Sequence, residues 1–62
     1  MKPTRKERIQ AMIDNVQETA DFWQDAIDEG TMKGEMLENA KGAVAYANAR
    51  IARLEIKKGA EA

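Results

Sequence analysis

Residues 9–27 read IQAMIDNVQETADFWQDAI, and the spacing of their apolar side chains decides the fold. Ile9, Ile13, Val16, Ala20, Trp23 and Ile27 follow one another at intervals of 4, 3, 4, 3 and 4. On a helix that pattern collects all six on one stripe. The flanks keep the same beat. Gln10, Gln17 and Gln24 recur every seven residues on one side, and Asp14, Asp21 and Asp28 recur every seven on the face turned away from the stripe. Upstream, Thr4-Arg5-Lys6-Glu7 fits a capping box just after Pro3. There the Thr oxygen accepts from a free backbone N–H while Glu7 reaches back, so a helix is expected over 4–29. Downstream, Glu29-Gly30-Thr31 supplies a stop, because glycine tolerates the left-handed conformation that closes a helix; Thr31 is then available to cap the next one. Gly34 adds freedom just beyond it.

The same rhythm returns in 37–54, LENAKGAVAYANARIARL, where Leu37, Ala40, Val44, Ala47, Ile51 and Leu54 form a second stripe. A helix is expected over 34–58, with a corner at 30–33 and a frayed tail at 59–62 after Lys57, Lys58 and Gly59. The alternation of Ala43, Ala45, Ala47 and Ala49 with Val44, Tyr46 and Asn48 also has the period of a strand. Alanine is the best helix former and a poor strand former, so the helix is preferred. Gly42 is the weak point of that helix, and either faces water or admits a close neighbour. Folding the second helix back on the first pairs Ile27 with Leu37, Trp23 with Ala40, Ala20 with Val44, Val16 with Ala47, Ile13 with Ile51 and Ile9 with Leu54, large against small through the middle. The expected fold is therefore all-α, a single antiparallel two-helix hairpin.

Twelve seam side chains make a thin core for 62 residues, and the chain has no Cys to staple it. Met12, Met36 and Ala43 border the seam, and Phe22, Tyr46 and Ile56 lie further round, so the apolar surface is wider than one hairpin can bury. A homodimer forming a four-helix bundle is the expected way to cover it. Charge adds an orientation. The terminal end holds Lys2, Arg5, Lys6, Arg8, Arg50, Arg53, Lys57 and Lys58 against three carboxylates, whereas the corner end holds eight carboxylates against Lys33 and Lys41. The first helix carries this arrangement against its own macrodipole. An antiparallel dimer would set the basic end of one copy beside the acidic end of the other, so that orientation is preferred.

The composition also narrows the chemistry. With no His, Cys or Ser, the chain has no triad, no thiolate nucleophile and no imidazole base, and a non-enzyme is expected. No cofactor or metal is expected either, since neither EF-hand spacing nor the Glu-x-x-His of di-iron bundles is present. The basic start is not followed by an apolar signal core, and no apolar run approaches a bilayer span, which points to a cytoplasmic chain without membrane contact. Three surface readings remain. A protein-binding adaptor or regulator would use an apolar patch of Phe22, Met32 and Met36. A nucleic-acid-binding regulator would set Arg5, Lys6, Arg8, Arg50, Arg53, Lys57 and Lys58 on phosphates, with Gln10 and Asn48 close enough to reach bases or sugars. A phosphate mimic would present the stripe Asp14, Glu18, Asp21, Asp25 and Asp28 to a basic partner.

Overall fold

The computed structural model describes residues 2–61, and among them it holds two helices and no strand. α1 spans Arg5–Asp28 and α2 spans Glu35–Ala60, and the two pack along their length as an antiparallel hairpin. The alternating alanines of 43–49 lie inside α2, as their helix propensity requires. Thr4 is the N-cap of α1, and its hydroxyl accepts from the Glu7 N–H at 3.1 Å. The other half of the box differs from expectation. The Glu7 carboxylate accepts from the same Thr4 hydroxyl at 3.2 Å rather than from the Thr4 N–H, because a hydroxyl is donor and acceptor at once.

At the corner, Gly30 adopts φ 74° and donates to the Ile27 carbonyl at 3.0 Å, closing α1. Thr31 does not cap α2. That place belongs to Gly34, with φ 62° and ψ −133° and no side-chain cap, and its carbonyl accepts from Glu38 N–H at 3.1 Å. A helix cannot begin until the chain has passed this left-handed turn, which puts Thr31 too early to serve. Glu35 and Glu38 in the first turn of α2 favour its positive end in place of a cap. The far end of α2 runs on through Gly59 to Ala60, beyond the stop expected at 58. Two tethers hold this last turn against the start of α1: an ion pair at 2.8 Å between Arg5 and Glu61, and a hydrogen bond from Lys58 to Gln10.

The seam positions all lie between the helices. Ile9, Ile13, Val16, Ala20, Ala47 and Leu54 form the buried cluster, with Ile51 packed against it. Ala40, at 0% exposure, is buried separately nearer the corner. Trp23, Ile27, Leu37, Val44 and Ile51 are half-buried. One layer of two helices measures 45 × 21 × 13 Å and has no second layer to cover its flanks. Met12, Phe22, Met36, Tyr46 and Ile56 consequently remain exposed.

The glycines of α2 give a paired prediction. A Cβ added at Gly42 would meet nothing within 4 Å, so Gly42 faces open space in the hairpin. Gly42→Ala should stabilise by about 0.5–1 kcal/mol, the helix-interior penalty of glycine. Gly34→Ala has equal room but must adopt a backbone region that side chains avoid, and should destabilise by about 1–3 kcal/mol. Thermal melts of the two variants should therefore move in opposite directions; a shift of the same sign would contradict the corner geometry.

Candidate functional site

The two sides of the hairpin differ in chemistry. Along one flank of α1 run Arg8, Met12, Asn15, Thr19, Phe22 and Ala26, again at intervals of 4 and 3. The matching flank of α2 carries Met36, Asn39, Ala43, Tyr46, Arg50, Arg53 and Lys57. Two shallow grooves between the helices show that these flanks share one side. One, of about 210 Å³, is lined by Asn15, Val16, Thr19, Ala43, Tyr46, Ala47 and Arg50. The other, of about 230 Å³, is lined by Met12, Tyr46, Arg50, Arg53, Leu54 and Lys57. Neither flank contains an Asp or Glu. Within the first groove the Thr19 hydroxyl donates to the Asn15 carbonyl at 3.3 Å. Towards the corner, Phe22 meets Trp23 edge to face at 5.5 Å.

On the opposite side the recurrent Gln and Asp residues are linked in pairs. Gln10 donates to Asp14 at 2.8 Å, Gln17 to Asp21 at 3.0 Å and Gln24 to Asp28 at 3.0 Å. Such pairs, one helical turn apart, each support a helix by about 0.2–0.5 kcal/mol. Three of the five carboxylates of the acidic stripe thus brace α1, a helix with no basic residue in its last turn to oppose its dipole. Asp14, Glu18, Asp21, Asp25 and Asp28 are all exposed.

The seven expected phosphate contacts separate into groups. Arg8, Arg50, Arg53 and Lys57 belong to the acid-free side, Arg5 pairs with Glu61, Lys58 is engaged with Gln10, and Lys6 is exposed on the other flank of α1. Gln10 is held at both ends, by Lys58 on its oxygen and by Asp14 on its nitrogen, and Asn48 stands on the flank of α2 away from the grooves. The structure therefore does not bring either amide to the groove cations. Phe22 and Met36 are exposed and share the acid-free side at its corner end, and Met32 in the corner is half-buried. Ile56, 73% exposed, lies on the back of α2 apart from this patch. Asn15, Thr19 and Ala26, which complete the flank, carry no charge or large side chain to mark them in the sequence; their only signal is the continued interval of 4 and 3.

Among the described residues no group of His, Cys, Asp and Glu is placed to hold a metal ion, and no helix is long and apolar enough to cross a membrane. No protein-family model, curated protein or solved structure matches the chain.

Proposed function

We propose that the protein is a non-catalytic helical hairpin that works by association: it pairs with a second copy into an antiparallel four-helix bundle and serves in that form as a small protein-binding adaptor or regulator. The observation that carries this reading is the mismatch between core and surface. Only one stripe per helix is buried, while Phe22, Met36, Tyr46 and Ile56 each keep about two-thirds or more of their surface in water. Such surface on a chain this small is the signature of a site that another polypeptide covers. The division of charge along the hairpin favours the antiparallel arrangement, because like ends repel. Sedimentation equilibrium from micromolar to millimolar chain should give the mass of a dimer at the upper concentrations, with helicity rising as the dimer forms. A stable monomer with full helicity across the range would overturn it.

A second reading is favoured by one observation: Arg50, Arg53 and Lys57 converge on a single groove beside Met12 and Tyr46. A nucleic-acid-binding regulator would use this end for phosphates. Its mark is affinity for duplex DNA or RNA that falls steeply with salt. Salt-insensitive or undetectable binding at low salt excludes it.

A further inference from the structure

Resting on the self-association just proposed, we infer that the acid-free side is the dimer interface, and that the two-fold axis crosses it midway between Asn15 and Thr19 of α1, at the level of residue 17, and between Tyr46 and Ala47 of α2. The flanks themselves locate the axis. A two-fold that exchanges the ends of the hairpin stacks α1 on α1 and α2 on α2, antiparallel, so residues meet in pairs of constant sum. On α1, a sum of 34 brings Met12 to Phe22, Asn15 to Thr19 and Arg8 to Ala26 of the second copy. Thioether meets ring, amide meets hydroxyl, and an arginine stem covers a methyl. On α2, sums of 92 or 93 bring Tyr46 to Tyr46 and Ala47, Arg50 to Ala43, Arg53 to Asn39 and Lys57 to Met36. One axis has to serve both helices, and the hairpin register allows it. Val16 and Ala47 line the same groove, so residue 17 of α1 already stands level with the Tyr46–Ala47 step of α2.

The rim follows the same symmetry. Arg5 comes level with Glu29 of the second copy, and Lys57 with its Glu35, so the basic end of each chain meets the acidic corner of the other. A parallel pairing would instead stack the basic ends. The broad face of 45 × 21 Å is on the order of 900 Å², close to the ~800 Å² that each partner buries in a stable interface. Nearly the whole face is needed, from Phe22 and Met36 at the corner end to Met12 and the stems of Arg53 and Lys57 at the terminal end. At the centre the Tyr46 ring of each copy covers the groove beside Val16 and Ala47 of the other.

Two experiments on the full chain decide it. Tyr46 is exposed and lines the same groove as Arg50, Arg53 and Lys57, so Tyr46→Lys does not disturb the hairpin seam, but in the dimer it buries two more cations at the axis of a face that has no carboxylate to pair them. It should weaken dimerisation by roughly 100-fold or more, while Ala52→Lys, on the opposite side, should leave it within about threefold. Independently, the chain has no cysteine of its own, so a Met12→Cys chain mixed with a Phe22→Cys chain should cross-link under mild oxidation, and neither should cross-link efficiently alone. A dimer that survives Tyr46→Lys, that is weakened equally by Ala52→Lys, or that gives no mixed cross-link overturns the assigned face and leaves self-association standing. A wild-type chain that stays monomeric throughout overturns self-association itself.

Discussion

Ile13→Ala should cost about 2–4 kcal/mol and leave the chain largely without helix at room temperature. Ile13 is 5% exposed and sits in the buried cluster with Ile9, Val16 and Leu54. Removing its branched side chain loses the transfer free energy of the deleted carbons, and the long helix around it cannot collapse to fill the space. A domain of this length rarely holds more than about 3–5 kcal/mol in all, so one such deletion consumes most of what is there. The control is Ile56→Ala, the same chemical change at a site 73% exposed, which should alter stability by no more than about 0.5 kcal/mol. Far-ultraviolet circular dichroism melts read both. Equal effects at the two positions would mean that the seam between the helices is not where the stability resides.

Ala40→Leu has the opposite defect and a different readout. Ala40 has no exposure, so three added carbons have nowhere to go without moving a helix. Overpacking of this kind costs about 1–3 kcal/mol, and here the displaced element is the corner end of α1, which carries Trp23 at the level of Ala40 in the hairpin register. Trp23 is half-buried and is the only tryptophan. Its emission should shift to the red and become easier to quench even under conditions where the helices persist. Ala49→Leu, on the exposed back of α2, adds the same volume to open solvent and should leave the emission unchanged. An unaltered spectrum for Ala40→Leu would show that the two helices have slack at this level.

The seam was readable because two signals agree at every position: an interval of 3 or 4 and an apolar side chain. Thr4 and Gly30 were readable for the same reason, each being a residue type suited to one place in a helix and standing in that place. Gly34 was not, because two glycines within five residues can both accept a left-handed turn, and nothing local says that the second would hold the N-cap and displace Thr31. Gly59 was misleading in the other direction. The helix runs on through it, flanked by links from Lys58 to Gln10 and from Glu61 to Arg5, which join residues far apart in the chain. The Gln and Asp repeat was visible as a period, but its use as bracing one turn apart needed side-chain geometry. The acid-free side is the clearest case. Each flank is unremarkable alone, and only the register of one helix against the other unites them.

The six residues between the helices, which include two glycines at positive φ, also bear on how quickly the molecule should form. Ile27 and Leu37 are separated by a short loop whose closure is cheap in entropy, and once they meet, each preceding turn finds its mate already nearby, until Arg5 reaches Glu61. Closure of this one bend is then the expected slow step, with the seam zipping outward from it. Chains dominated by such local pairings relax in microseconds to milliseconds, so a newly made copy would be ready to meet another almost as soon as both of its helices exist.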